Sequence, residues 1–157
     1  MRRARRVAGR VTGDGVSVER LRPAISGVYL APEDAEALRG AAPGAGLRWI
    51  DINLARAGTK QEFLGACAKN LRFPKWFGGN WDALADCLKD SCGDSVVGCR
   101  NCAKFAEAAP DDYATALEVF QDAASSWKER GRTFIVLVDA EPTGASLPRV
   151  PLEPGSK

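Results

Sequence analysis

Histidine is absent from the 157-residue chain. Its absence excludes catalytic triads that use histidine as the base, histidine-ligated zinc and imidazole acid–base chemistry. The chain also lacks any apolar run near the 18 or so residues that a membrane span needs, which indicates a soluble protein without membrane association. No signal-peptide core precedes the five cysteines. The sequence therefore favours free thiols in a reducing cytoplasm over a disulfide framework.

Charge is distributed unevenly along the chain. Residues 1–22 carry seven arginines against two acidic residues, a net charge of +5, whereas the rest of the chain carries 15 basic and 18 acidic residues, a net charge of −3. The arginine-rich segment predicts a flexible basic arm, and the proline and glycine residues of 141–157 predict a flexible tail. The predicted domain between them spans 23–140, with a strand–helix extension at 23–46 and a core at 47–140.

The pattern of apolar residues predicts alternating strands and helices. Predicted strands lie at 26–31, 47–55 and 133–138, with a possible short strand beginning at Val96 and Val97. Predicted helices follow Pro32, span 60–71 behind a Thr59–Glu62 capping box, follow Asn80, and follow the capping residues Asp111 and Asp112. The run at 133–138 is unbroken apolar sequence, which is typical of a buried parallel strand. The alternation indicates a small layered α/β fold with a mainly parallel sheet.

The helix after Asn80 is predicted to carry a stripe of carboxylates. At about 100° per residue, one face presents apolar side chains, and the opposite face presents acidic ones. The acidic face consists of Asp82, Asp86 and Asp90, together with Lys89. These aspartates repel each other at a cost of about 0.2–0.5 kcal/mol for each neighbouring pair. Four aromatic residues crowd just ahead of the stripe or at its start, namely Phe73, Trp76, Phe77 and Trp81. Aromatic side chains beside fixed carboxylates are typical of a protein interface.

The segment FPKWFGGNWDALADCLKD, residues 73–90, resembles the signature of the barstar family of ribonuclease inhibitors. The resemblance extends in order and spacing from the strand at Leu47 to the strand that ends at Val138. It implies a sheet of about three parallel strands packed by helices, here with a possible extra N-terminal strand. It also implies that the protein is not an enzyme, that it needs no cofactor, and that its acidic helix enters the active site of a ribonuclease.

The resemblance assigns roles to individual residues. Trp76 resembles the aromatic contact, Asp82 and Asp86 the two central acidic contacts, and Asp122 a peripheral acidic contact on a later helix. A ribonuclease cleft is lined with Arg and Lys because it holds a polyanion, and that field attracts carboxylates at phosphate-like spacing. The predicted ribonuclease-binding residues are Trp76, Phe77, Gly79, Asn80, Asp82, Ala85, Asp86, Lys89, Asp90 and Asp122. The expected partner is a basic, extracellular-type bacterial ribonuclease, bound one to one.

Two departures from the family pattern stand out. Ala85 occupies the position between the two aspartates where the family's best-known member has a tryptophan. The segment that follows the acidic helix, DSCGDSVVGCRNC, is polar, contains glycine and is rich in cysteine. This composition predicts a weakened middle strand.

Two other kinds of function are compatible with parts of the sequence. The basic arm at 1–22 could bind nucleic acid, although no direct nucleic-acid contact is expected of the domain. Cys92, Cys99 and Cys102 could form a metal or zinc module, but their spacing differs from that of a zinc ribbon. A magnesium-dependent hydrolase built on Asp82, Asp86 and Asp90 is disfavoured, because these residues spread along one helix instead of converging from several elements.

Overall fold

A computed structural model describes residues 21–33, 35–73 and 79–150. The arm residues 1–20, the tail residues 151–157, and Trp76 and Phe77 lie outside the described residues. The elements in chain order are β1 (Gly27–Leu30), α1 (Ala35–Ala41), β2 (Arg48–Asn53), α2 (Lys60–Asn70), α3 (Trp81–Ser91), β3 (Ser95–Arg100), α4 (Ala103–Ala108), α5 (Pro110–Glu129) and β4 (Phe134–Val138). Within the described part of the chain, no helix combines the length and apolarity that crossing a membrane demands.

The four strands form one parallel sheet in the order β1-β4-β3-β2. The predicted α/β class with a mainly parallel sheet is therefore confirmed, and the possible N-terminal strand is real. β4 lies inside the sheet with all five residues buried, as its unbroken apolar sequence predicts. β1 adds a fourth strand beside it, so the first and last strands of the described residues are neighbours.

β3 corrects the prediction of a weak middle strand. It is six residues long, pairs with both β2 and β4, and buries its first five residues. Gly98 has a specific reason to be glycine, because a Cβ placed there would lie 2.9 Å from an indole carbon of Trp49 on the neighbouring strand. The glycine marks a close side-chain approach and not a break in pairing.

Each face of the sheet has its own apolar cluster. Phe134, Val136 and Val138 of β4 join the larger cluster with α2 to α5, whereas Ile135 and Leu137 join the smaller one with α1. This assignment follows from the strand geometry, in which successive side chains point to opposite faces. The larger cluster contains a stacked pair of rings, Phe63 and Phe105, whose centroids are 4.9 Å apart.

Helix starts follow the sequence in one place and depart from it in another. Thr59 caps α2 as predicted, since its Oγ1 accepts a hydrogen bond from Glu62 N at 3.1 Å. The prediction that Asp111 and Asp112 cap α5 is wrong: the helix begins at Pro110 without a side-chain cap, and proline suits this first position because its fixed φ is already helical. The short helix α4 was not predicted from the sequence.

Both ends of the described chain make contacts with the domain that the composition does not predict. Leu21, placed in the basic arm by the sequence, is only 4% exposed and belongs to the smaller cluster. Within residues 141–150, part of the tail predicted to be flexible, Pro148 O accepts a hydrogen bond from Leu30 N at 2.8 Å and Leu147 packs on the larger cluster. Proline has no backbone N–H donor but has a carbonyl acceptor. The Pro148 carbonyl accepts a hydrogen bond from Leu30 at the end of β1.

Candidate functional site

The candidate site is built on α3, whose start is fixed by its sequence. Asn80 has an extended backbone, and its Oδ1 accepts a hydrogen bond from Ala83 N at 2.7 Å, as expected of an N-cap. Gly79 just before it adopts φ +70°, a left-handed conformation that favours glycine. Gly79 and Asn80, both predicted as binding residues, therefore have a structural role in setting where α3 begins.

One face of α3 is anchored in the core. Leu84, Cys87 and Leu88 are buried, as the predicted spacing of apolar residues requires. Trp81 is half-buried and packs against Phe63, with ring centroids 6.0 Å apart. The rotation of the helix about its axis is thereby fixed, and with it the direction in which the opposite face points.

The opposite face presents the predicted carboxylates to solvent. Asp82, Asp86 and Asp90 are exposed, while Ala85 and Lys89 at the sides of the stripe are half-buried. We call the three aspartates the acidic stripe. Among the described residues the ion pairs join Arg39 to Asp51, Arg100 to Asp51, and Arg132 to Asp94, so none involves the stripe. The stripe carries three negative charges that no described cation neutralises in an ion pair.

The second helix of the site is α5, which packs against α3. Asp122 is exposed on α5, and Trp127 of the same helix donates a hydrogen bond from Nε1 to Leu88 O at 2.9 Å. The sequence predicts Trp127 as part of the apolar stripe of α5 but gives no sign of this hydrogen bond, since the two residues lie 39 positions apart. The structure thus packs the helix of the acidic stripe against the helix of Asp122, while Trp76 and Phe77 lie outside the described residues.

The cysteines do not form a second site in this structure. All five are buried and free, and no group of three histidine, cysteine or acidic residues is placed to hold a metal ion within the described ranges. Burial raises the pKa of the Cys92 thiol to about 11 and that of Cys102 to about 12. No metal-holding group among the described residues includes Cys92, Cys99 or Cys102, so their placement gives the metal alternative no support.

Comparison with known proteins identifies a family for the part of the chain that contains α3 and α5. A family model described as Barstar (barnase inhibitor) matches residues 47–139, which is more than half of the chain. No curated protein matches the sequence. The match includes β2, the acidic stripe, α5 and β4, and it leaves β1 and α1 outside.

Proposed function

Because the chain belongs to the barstar family, whose members inhibit ribonucleases of the barnase type, we propose that it blocks the active site of a basic ribonuclease with α3. Asp82 and Asp86 would take the places of substrate phosphates, and Asp90 and Asp122 would add charge at the edge of the contact. Trp76 and Phe77, just ahead of α3 in the sequence, are proposed as aromatic contacts. The proposed complex is one to one, and the protein acts by binding and not by catalysis.

The observation that carries this proposal is the acidic stripe itself. Like charges four residues apart destabilise a helix, and Asp90 also lies near the negative C-terminal end of the helix dipole. Ion pairs with neighbouring basic residues would relieve both effects, yet the described ion pairs lie elsewhere. A stripe that costs the free protein some stability is well suited to a partner that brings the missing positive charge.

Electrostatics also accounts for how such a complex would form. A cleft that binds a polyanion has a positive field, which speeds the approach of an acidic surface and orients it before contact. Hydrogen bonds between carboxylates and arginine or lysine are then strong once water is excluded. The buried free thiols fit a reducing compartment, so we propose that the inhibitor acts in the cytoplasm, where it protects the cell from a ribonuclease destined for export.

The experiment is an inhibition assay against a panel of small basic bacterial ribonucleases at low salt, where screening is weakest. We expect the wild-type protein to inhibit at least one of them. Asp82→Ala and Asp86→Ala should each lose about 2–5 kcal/mol of binding free energy, which is the usual cost of removing one partner of a buried, hydrogen-bonded charge pair. Their free energy of unfolding should stay the same or rise by a few tenths of a kcal/mol.

Glu36→Ala is the matched control, because Glu36 is an exposed carboxylate on α1, which packs on the other face of the sheet. It should leave both inhibition and stability unchanged. The proposal fails if Asp82→Ala and Asp86→Ala lose more than about 1 kcal/mol of stability, beyond the usual range for surface changes, with unchanged affinity per folded molecule. Salt-sensitive binding of RNA that disappears on removal of residues 1–22, without any inhibition, would support a nucleic-acid-binding protein instead.

A further inference from the structure

We propose that Arg130 and Arg48 are positioning residues, which hold the C-terminal turn of α3 so that the acidic stripe meets the ribonuclease in one geometry. Neither arginine belongs to the acidic stripe, and neither was singled out by the sequence. Both act through the backbone of α3. The inference rests on the proposed function, because it assigns a role in the binding of the same partner.

The first step of the argument concerns the end of α3. The last four carbonyl groups of an α-helix lack partners within the helix. In α3, Leu88 O accepts from Cys92 N at 3.3 Å and from Trp127 Nε1 at 2.9 Å. Lys89 O accepts from Arg130 Nη2 at 2.8 Å, and Ser91 O accepts from Arg48 Nη2 at 3.1 Å. The donors from outside α3 therefore belong to two other parts of the fold: Arg48 to the start of β2, and Trp127 and Arg130 to the C-terminal end of α5.

Arg130 is itself held firmly. Its guanidinium lies over the indole ring of Trp127, with Cζ 3.7 Å from the ring centroid. It also donates to Ser126 Oγ at 2.9 Å. Arg48 is held in a similar way by a second hydrogen bond from Nη2 to Ser95 Oγ at 3.1 Å. Because each guanidinium also makes contacts outside α3, both side chains can restrain the end of the helix.

The charge of these residues matters as much as their hydrogen bonds. Cations near the C-terminus of a helix stabilise it by interacting with the negative end of the dipole. The carbonyls that Arg130 and Arg48 engage belong to Lys89 and Ser91, the two residues on either side of Asp90. The guanidinium groups thus offset the unfavourable interaction between Asp90 and the negative end of the helix dipole. They bind backbone carbonyls, so the carboxylates of the acidic stripe remain without an ion-pair partner among the described residues. Such preorganisation reduces the ordering cost that binding must meet.

The test compares Arg130→Gln with Arg132→Gln in the full chain. Arg132 is a matched control, since it is exposed, lies 6.0 Å from the same indole ring and pairs with the Asp94 carboxylate, three residues beyond the end of α3, and not with a carbonyl of the helix. Two quantities are measured: the backbone order parameters of residues 82–92 in the free protein, and the dissociation rate from an inhibited ribonuclease. We expect Arg130→Gln to lower the order parameters at 88–92 and to raise the dissociation rate on the order of tenfold. Arg132→Gln should change neither.

Two further variants separate positioning from general stability. Arg48→Gln should reproduce both effects of Arg130→Gln. Asp90→Asn introduced into the Arg130→Gln protein should restore part of the order at 88–92, because it removes the charge that the arginine offsets. If Arg130 only stabilised the fold, Arg130→Gln would lower the denaturation midpoint, and adding Asp90→Asn would not restore the order parameters at 88–92.

Several outcomes would overturn the proposal. A faster dissociation with unchanged order in α3 would mean that Arg130 contacts the ribonuclease directly. Normal binding with unaltered dissociation in the Arg130→Gln protein would overturn the positioning role alone. Failure of the wild-type protein to bind any ribonuclease would overturn the proposed function and this role together, so the two failures are distinguishable.

Discussion

The two faces of the sheet are covered by very different parts of the chain. The matched region, residues 47–139, contains the acidic stripe, all five thiols and every buried residue of the larger apolar cluster except Val28. The N-terminal extension, which we define as residues 21–33 and 35–46, covers the other face with one seven-residue helix and a small cluster. The extension carries no residue of the proposed site. The family match therefore delimits the region proposed to act, whereas the sheet also includes β1 of the extension.

The joint between the two regions lies along β1 and β4. Ser26 Oγ accepts a hydrogen bond from Phe134 N at 3.0 Å and donates one to Arg132 O at 3.3 Å. Val28 N donates to Gln121 Oε1 on α5 at 3.3 Å. The extension therefore forms hydrogen bonds with α5 and with the start of β4, and α5 is the helix that packs against α3. This arrangement makes it part of the scaffold of the site, even though it lies outside the family match.

Deletion of residues 1–46 is the strongest way to test the comparison. It removes Leu38 and uncovers Ile135 and Leu137, each 1% exposed in the full chain. We expect a loss on the order of 5 kcal/mol or more, comparable with the total stability of many domains, and hence no cooperative denaturation transition. Deletion of residues 1–20 alone is the control and should leave the transition unchanged. A 47–157 fragment with the midpoint of the full chain would show that the extension is only an attachment.

Alkaline pH should act mostly on the matched region, because all five cysteines lie there, whereas the extension contributes one half-buried phenol of raised pKa, Tyr29. Burial raises the pKa of Cys92 from 9.0 to about 11 and that of Cys102 to about 12. Above pH 9 the unfolded chain loses thiol protons that the native protein keeps, so stability is present in full below pH 9 and falls as the pH rises towards 11. Each such thiol should cost on the order of 2 kcal/mol at pH 10.5. Urea denaturation at pH 8 and pH 10.5 checks this, and an unchanged midpoint would contradict it.

Matched core substitutions in the two regions sharpen the comparison further. Leu38 on α1 and Leu88 on α3 are both essentially unexposed. Leu38→Ala and Leu88→Ala should each lose about 2–5 kcal/mol of unfolding free energy. Affinity per folded molecule should fall only for Leu88→Ala, because only that cavity lies beneath the acidic stripe. Equal losses of affinity would show that the two regions are coupled more strongly than their contacts indicate.

The smallest expected effect comes from the N-caps of two helices inside the matched region, α2 and α3. Asn80 and Thr59 cap α3 and α2 by equivalent hydrogen bonds, so Asn80→Ala and Thr59→Ala should each lose about 1 kcal/mol. Only Asn80→Ala should also weaken ribonuclease inhibition, since only α3 carries the stripe. Asn80→Asp keeps an acceptor at the cap and is the control for stability. A full loss of stability in that variant would rule out the cap as the cause.

Local patterns predicted much of the fold. The buried strand β4, the capped helices α2 and α3, and the apolar stripe of α5 all follow from periodicity and capping residues within one segment. β3 was underestimated because Ser95 and Gly98 weaken its apolar pattern, while the reason for Gly98 is an indole on another strand. The packing of residues 141–150 was missed for a similar reason, since a proline carbonyl finds its donor on β1.

The proposed site also has a part that local sequence predicts and a part that depends on residues distant in the sequence. Asp82, Asp86 and Asp90 could be assigned to one exposed face from helical geometry alone, and the structure places them there. The support of α3 by Trp127, Arg130 and Arg48 could not be predicted. These contacts join residues about 40 positions apart in the sequence, and no local pattern marks an arginine that donates to a distant carbonyl.

Because β1 pairs with β4, the sheet cannot be completed until late in the synthesis of the chain. The hydrogen bond between Ser26 and Phe134 spans 108 residues. At a synthesis rate of about 5–20 residues per second, β1 leaves the ribosome roughly 5–20 s before its partner strand. Pairs so distant in sequence form late, because the long loop between them must close first. The apolar side chains of the extension are therefore accessible to chaperones during most of translation, and the sheet closes only after β4 has emerged.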